Sequence, residues 1–528
     1  MNSMEMIGRA RSLQQAGRPA DAALLLRQAV AWAPALAEAH HHLALVLQPV
    51  AAVSLLERLI GRAVRCAPDQ AEARANLALA LCDQRRHDSA AASARWAVVL
   101  NPAYANGHAV LGRVLKEQGR LKEAAVCLRR VVLLQPGAVF GWVNLGDALD
   151  EMGEVDEALA CVRSALLVDP AAAPAWNNLG HLLQGWGEAG TAGPLRRAIR
   201  LRPDYAAAHL NLGMDLLRQG RLEEGWREFE WWRATAPVLP GWKGAPQARW
   251  AGQDLRGKTL LLRGEQGLGD MIQFARYATV FARAGARVVL EMHPPLTRLL
   301  ATLPGVAQTV AMGSPPPPHD YHLPMMSVPG LLGTRLDTIP ADIPYLSADP
   351  AAVEMWRDRL SALPGRKVGL VWAGNPRAND PAAHLVDRRR SLALARLRPL
   401  LERPGFSFVS LQKGAPAAQI GDLPPTLRPF DAMGEVRDFA DTAALCAALD
   451  LVITVDTSVA HLAGALGRPV WILSRHDGCW RWLLDRDDSP WYPTARLFRQ
   501  RARGDWDEMV ARVVKALESL RLRDTPSR

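Results

Sequence analysis

Proline recurs every 34 residues through the first half of this chain, at Pro34, Pro68, Pro102, Pro136 and Pro170, then at Pro203, one residue short, and at Pro237. A fixed period of that size limits the possible folds more than any single motif does. Leucine keeps the same phase at Leu43, Leu77, Leu111, Leu145, Leu179 and Leu212. A small residue follows it directly: Ala44, Ala78, Gly112, Gly146, Gly180 and Gly213. Seven residues on come Gly119, Gly153, Gly187 and Gly220. Each unit reads as two amphipathic helices that approach closely at the small residue. The second glycine ends the first helix, and the proline cannot continue the second. One unit cannot bury its own apolar face, so the units must stack into a superhelix with a concave side. Seven units fit over about residues 3–239. The second is degraded, since Pro49 interrupts it and Ala51 stands where the helix-ending glycine belongs.

The segments "WVNLGDAL" (Trp142–Leu149) and "WNNLGHLL" (Trp176–Leu183) resemble the W-x2-L-G-x2-Y pattern of the tetratricopeptide repeat. That resemblance implies a groove for a peptide or protein; the alternative is a scaffold that only orders or oligomerises the rest. Cys127 and Cys161 share one repeat phase and read as core residues. The run His40–His42 reads as a solvated turn at a helix start, not a metal site.

A chain of 528 residues is too long for one domain. Apolar residues make up 49% and charged ones 22%, an ordinary globular balance. No run reaches the roughly 18 uninterrupted apolar residues that a membrane helix needs, and the N-terminal segment, broken by charges, does not read as a signal peptide. Six cysteines form neither a CxxC pair nor a zinc spacing and fit buried thiols in a reducing cytoplasm. The net charge of +10 is spread without the aromatic interleaving of a single-strand platform, so nucleic acid is not the expected partner.

After Pro237 the period stops. "LPGWKGAPQARWAGQDLRGK" (Leu239–Lys258) reads as a linker. Beyond it, short β-branched runs at Thr259–Arg263, Arg287–Met292, Lys367–Gly374, Phe406–Gln412, Leu451–Asp456 and Pro469–Leu473 read as strands. Helical stretches at Met271–Ala284, Leu394–Glu402 and Phe439–Leu449 fall between them. This alternation predicts parallel sheets with helices on both faces. The proline-rich segments Gly313–Pro324 and Thr338–Pro350 divide it into two α/β lobes. Ligands in such sheets sit at the carboxyl ends of the strands, here in a cleft between the lobes. The expected fold is therefore α + α/β, with repeats over 1–239, a linker over 240–257, and lobes over 258–345 and 346–528.

Two stretches carry chemistry. In "GEQGLGDMIQFARY" (Gly264–Tyr277) the glycines run G-x-x-G-x-G, which is neither the dinucleotide fingerprint nor a P-loop. Asp270 lies at the helix start, where the dipole stabilises its ionised form. A carboxylate on that turn suits a general base, or simply caps the helix. In "VITVDTSVAHLAGALGRPVWIL" (Val452–Leu473), Thr457, Ser458 and the free N–H groups of the first helical turn suit a diphosphate. Asp456 either accepts from ribose hydroxyls or caps the helix, and His461 either faces a ligand or is a buried structural residue.

Together these two stretches resemble the heptosyltransferase-like glycosyltransferases of family 9, in the branch joined to tetratricopeptide repeats, an architecture shared with protein O-linked N-acetylglucosamine transferases. The resemblance spans nearly the whole chain. It implies a GT-B fold of two Rossmann-like lobes, a nucleotide-diphosphate-sugar donor, inversion at the anomeric carbon, and no cofactor or metal. On it Asp270 is the base, with Gln266, Gly267 and Gly269 on the same turn. Asp456, Thr457, Ser458 and His461 form the donor diphosphate site. "WAGNP" (Trp372–Pro376) adds Asn375, "DRRRS" (Asp387–Ser391) adds Arg390 and Ser391, and "SLQKG" (Ser410–Gly414) adds Lys413. Cations there fit chemistry in which a departing nucleoside diphosphate must be neutralised. Arg388 and Arg389 read as solvated surface charges. Cys479 stands where the family pattern leads one to expect an acidic residue.

Asp485-x-Asp487 and Asp505-x-Asp507 spell a D-x-D metal motif but lie outside the first lobe, and His319 and His322 have no third ligand nearby. The leading expectation is a cytoplasmic, metal-independent inverting glycosyltransferase whose repeats present a protein acceptor or dock a partner. A repeat scaffold with a degenerate nucleotide-sugar site is the alternative; a nucleotide-sugar epimerase is a third.

Overall fold

The computed structural model describes residues 2–47, 53–185, 190–235, 248–376 and 381–523. Pro49, Ala51, Gly187, Pro237 and residues 240–247 of the expected linker lie outside the described residues. Among the described residues, seven helix pairs fill the first half. They are α1 (Ser3–Gln15) with α2 (Pro19–Trp32), α3 (Ala37–Leu47) with α4 (Val53–Cys66), and α5 (Ala71–Asp83) with α6 (His87–Leu100). Next come α7 (Ala105–Glu117) with α8 (Leu121–Leu134) and α9 (Val139–Met152) with α10 (Val155–Val168). The last two are α11 (Ala173–Gly185) with α12 (Ala192–Leu201) and α13 (Ala206–Arg218) with α14 (Leu222–Phe229).

The periodic residues have separable jobs. A Cβ on Gly112 would sit 2.8 Å from Leu128, and one on Gly213 only 2.5 Å from the Phe229 nitrogen, so the paired helices touch where the small residue stands. Gly17, Gly119, Gly153 and Gly220 leave their helices with φ of 74°, 73°, 85° and 79°, the left-handed region that glycine enters without strain. Arg85, in the same phase, adopts φ 60° with a full side chain.

The proline phase carries a hydrogen bond. Six residues after each of the six described prolines of the series a side-chain N–H meets the proline carbonyl: His40 to Pro34 at 2.9 Å, Arg74 to Pro68 at 2.7 Å and His108 to Pro102 at 3.0 Å. Trp142 to Pro136 at 2.8 Å, Trp176 to Pro170 at 2.9 Å and His209 to Pro203 at 2.8 Å continue the series. The bond closes the inter-unit turn onto the following helix. His40 and His41 are therefore not a solvated turn. Both lie inside α3 and are 7% exposed.

The chain forms two compact units, one of residues Met1–Leu182 and one that begins at Leu183 and contains both sheets. The 34-residue period runs on to about residue 239, so the last repeat helices belong to the second unit. A short helix α15 (Trp232–Thr235) follows them. The first sheet is parallel, ordered β1-β5-β2-β3-β4, from β1 (Ala248–Arg249), β2 (Thr259–Arg263), β3 (Arg287–Met292), β4 (Val306–Ala311) and β5 (Tyr321–Pro324). The second is parallel, ordered β11-β10-β9-β6-β7-β8. Its strands are β6 (Arg366–Val371), β7 (Phe406–Ser410), β8 (Phe430–Asp431), β9 (Leu451–Val455), β10 (Val470–Ser474) and β11 (Ala495–Arg499). The fold is thus a repeat solenoid followed by parallel α/β sheets.

Helix α16 (Leu268–Ala275) follows β2 and breaks at Arg276 before α17 (Tyr277–Arg283), where one continuous helix was expected. Short helices α18 (Thr297–Leu300) and α19 (Val328–Leu331) complete the first lobe. The second carries α20 (Pro350–Ser361), α21 (Pro381–Arg390), α22 (Arg398–Leu401), α23 (Phe439–Ala447), α24 (Ser458–Ala465) and α25 (Trp506–Arg523). The larger apolar core of this unit runs from Trp226 and Phe229 of α14 through Phe274 and Tyr277 to Trp480, Trp482 and Trp491, and a second lies around Trp372, Trp471 and Trp506. Trp226 meets Trp480 edge-on at 5.3 Å and donates its indole N–H to the Thr334 carbonyl at 3.1 Å.

Candidate functional site

Strand β2 is buried from Leu260 to Arg263 and delivers the glycine turn at its carboxyl end. Gly264 is fixed by packing, since a Cβ there would lie 2.5 Å from the Met271 side chain. Gly267 is the N-cap of α16, and Asp270 sits at the third helical position rather than at the cap. One Asp270 oxygen accepts the Gly267 N–H at 3.0 Å. The other pairs with the guanidinium of Arg481, from the loop after β10. The two side chains are 20% and 14% exposed. Gln266 accepts from the His293 ring through its carbonyl at 3.0 Å.

Gly269 is where the lobes meet. A Cβ on it would lie 2.8 Å from the His461 ring and 3.4 Å from the Ser458 Cα. The glycine turn and the first turn of α24 therefore touch directly. Strand β9, buried throughout, leads through Asp456 to Thr457, the N-cap of α24. Thr457 bonds the Thr454 hydroxyl at 3.0 Å rather than its own helix. Asp456, Thr457 and Ser458 are half-buried. His461 is 4% exposed, stacks on Trp482 at 5.1 Å and meets the Tyr492 hydroxyl at 3.0 Å through Nδ1. Burial pulls its pKa down to about 4, helped by the positive charge of Arg481 and opposed by Asp456 and Asp270.

A second cluster forms where β6 and β9 end. Arg390 donates to the Asp387 carboxylate at 3.0 and 2.9 Å and to the Asp456 carbonyl at 3.0 Å. Ser391 accepts the Gly374 N–H at 3.0 Å. Gly374 has no room for a side chain, since its Cβ would lie 2.0 Å from Asp387. Arg390, Ser391 and Asp456 are thus brought together, as are Gly267, Gly269, Asp270, Ser458 and His461. Lys413 points elsewhere, its ammonium donating to the Val436 carbonyl at 2.5 Å. Asn375 is exposed on the loop after β6. Of the arginines read as solvated, Arg388 is exposed, but the Arg389 side chain is only 17% exposed and lies 3.9 Å from Asp477.

Three residues of the site were not anticipated. Arg481 is one. Burial works against its charge, but Asp270, the Cys479 thiol at 3.1 Å and Asp456 more than offset that and hold it protonated. Glu265, in the glycine turn, accepts the N–H groups of Met325 at 3.1 Å and Met326 at 2.6 Å. Burial nevertheless pushes its pKa up to about 8, with those N–H groups opposing and Asp270 and Glu230 adding to it. Arg276, 1% exposed, donates to the carbonyls of Gln273, Pro340 and Trp491 and lies over Tyr345 and Tyr492, both at 4.8 Å.

In the first unit a polar cavity of ≈ 460 Å³ is lined by Arg11, Glu38, His41, His42, Asp69 and Glu72, among others. Burial lowers the His42 pKa to about 4, helped by Arg11. Among the described residues no group of three or more His, Cys, Asp or Glu is placed to hold a metal ion, and no helix is long and apolar enough to cross a membrane.

Residues 415–473, from the end of β7 through β10, match the model of glycosyltransferase family 9 (heptosyltransferase). Residues 76–139, 143–183 and 194–228 match the tetratricopeptide repeat. The chain therefore carries tetratricopeptide repeats and, toward its C-terminus, a family 9 glycosyltransferase domain. Protein FlbA of Caulobacter vibrioides is 32% identical over 337 residues, 57% of this chain and 53% of FlbA. The chain thus spans about half the length of that relative. Among solved structures, the Cut9–Hcn1 hetero-tetramer of the APC/C is 19% identical, with 42% of this chain and 44% of that one covered at a TM-score of 0.38. YrrB, described as a TPR protein with an unusual peptide-binding site, is 22% identical, with 35% and 95% covered at a TM-score of 0.28.

Proposed function

We propose that this protein is an inverting glycosyltransferase that moves a sugar from a nucleoside-diphosphate sugar to an acceptor hydroxyl without a bound metal, in the cytoplasm. The observation that carries the reading is the contact of Gly269 with Ser458 and His461, which sets a carboxylate beside a helix N-terminus at the carboxyl ends of strands from two sheets. Asp270 takes the proton from the acceptor hydroxyl as that oxygen bonds to the anomeric carbon. The bond from that carbon to the diphosphate breaks, and its electron pair leaves on the phosphate oxygen. The N–H groups of the first turn of α24 receive that charge, with Ser458 and Thr457 beside them. Arg390 and Ser391 set the shape of this turn through Asp456 and Gly374 rather than by reaching the phosphates. The acceptor is a protein segment held by the repeats. Neutral His461 packs the turn.

The test is turnover of nucleotide-sugars by the wild type and Asp270→Asn. Loss of a general base lowers turnover about 10²–10⁴-fold while donor binding persists. Equal turnover in the two proteins removes Asp270 from the chemistry. A second reading, a nucleotide-sugar-binding scaffold without catalysis, draws support from the two oxygens of Asp270 both being engaged. It predicts binding with no turnover in either protein.

A further inference from the structure

We infer that Arg481 is the cation that receives the diphosphate, and that Asp270 occupies it only while that anion is absent. The inference deepens the glycosyltransferase reading and rests on it for the identity of the anion. Arg481 lies in the loop Arg475–Trp482, beyond the carboxyl end of β10 and next to the strand that leads into α24. Its guanidinium pairs with Asp270, donates to Cys479 Sγ at 3.1 Å and sits 4.2 Å over the Trp480 ring. Its Nε is buried without a hydrogen-bond partner. A guanidinium offers five donors in a planar fork that matches phosphate oxygens two at a time. Most of that fork is unused here.

Asp270 is also one residue from Gly269, which touches Ser458 at the start of α24. The arginine and the free N–H groups of that turn therefore converge on one region, in which Asp270 is the resident anion. A dianionic diphosphate arriving there competes with a single carboxylate for the guanidinium edge that Asp270 now holds. When the diphosphate takes Arg481, one Asp270 oxygen is released from its partner and becomes available to an acceptor hydroxyl. The engaged state of Asp270 is then the resting state of a base, and donor binding is what frees it. The aromatic cluster of Trp480 with Trp226 and Phe229 holds the loop in place, so the arginine has a fixed position from which to change partner.

Calorimetric titration of the full chain with UDP, GDP, ADP and inorganic pyrophosphate tests this, using wild type, Asp270→Asn, Arg481→Gln and the double variant. Removing the competing carboxylate tightens Kd about tenfold, and removing the guanidinium weakens it about tenfold or more. In the double variant the gain from Asp270→Asn disappears. Arg481→Lys, which keeps the charge but not the fork, gives an intermediate loss, and its thermal melt checks that the loop still folds. An Asp270→Asn gain that survives without Arg481, unchanged Kd values in both single variants, or no binding to any of them overturns the inference. Asp270-dependent turnover with a Kd indifferent to Arg481 defeats the inference alone. Arg481-dependent tightening with no turnover of any nucleotide-sugar defeats the glycosyltransferase reading alone.

Discussion

His461 shows how one residue can be visible in a sequence while its surroundings are not. Its place one turn into a glycine- and alanine-rich helix made a ligand-facing and a buried role equally reasonable. It is buried against Trp482 and Tyr492, with its pKa lowered to about 4. The unfolded chain, with an ordinary imidazole near 6.5, therefore binds the proton more readily than the folded one. Stability is full above pH 6.5 and falls as pH drops toward 4, by about 3 kcal/mol over that window at 1.36 kcal/mol per unit. Urea denaturation of wild type and His461→Gln at pH 4.5 and 7.5 measures this. The variant loses less stability on acidification, and parallel losses would refute the assignment. Thr457, Ser458 and Asp270 were legible because helix-start chemistry is local. Arg481 was not, because its meaning comes from a carboxylate 211 residues away in sequence.

The central strands were readable as elements for the same reason that the edges were not. Strands β2, β3, β6, β7, β9 and β10 are apolar and β-branched because helices or loops cover both their faces. The missed strands β1, β4, β5, β8 and β11 are short or lie toward a sheet edge, where half-exposed positions admit Gln308, His322 and Arg496. The break at Arg276 was invisible because it is set by carbonyls from residues 340 and 491, not by a proline or glycine. Helix ends make a sharper prediction. Arg85 leaves α5 at φ 60°, where four sister units have glycine among the described residues. Relief of that strain, less the entropy that glycine adds to the unfolded chain, makes Arg85→Gly more stable by about 0.5–1 kcal/mol. Thermal or chemical melting checks it. A destabilised variant would mean that the Arg85 side chain contributes contacts worth more than the strain.

At the scale of the whole molecule, the period and the compact units disagree about where the repeats stop. The last repeat shares a core with the sheets through Leu217, Leu222, Trp226 and Phe229. Arg218 on α13 donates to the Asp477 carbonyl at 3.1 Å, in the same loop as Arg481. A fragment that starts at residue 183 is therefore expected to melt as one cooperative unit. A fragment that starts at 248 uncovers Trp480 and Phe274 and lacks packing of the kind worth about 3–5 kcal/mol per large aromatic. It is expected to be less soluble and to melt lower. Comparable melting of the two fragments would show that the last repeat is dispensable to the α/β fold.

The proline-carbonyl bonds bear on how such an array changes over time. Written as letters, the donor position is His, Arg, His, Trp, Trp and His through six units, and the pattern looks eroded. Written as an N–H placed to meet one carbonyl, it has not changed at all. Exchange among these three residue types leaves the bond in place, so units can differ at this position and still close the turn in the same way. The repeat model begins to match only at residue 76, yet His40 already makes the bond. The helices ahead of residue 76 thus share the bond with the units that the repeat model matches.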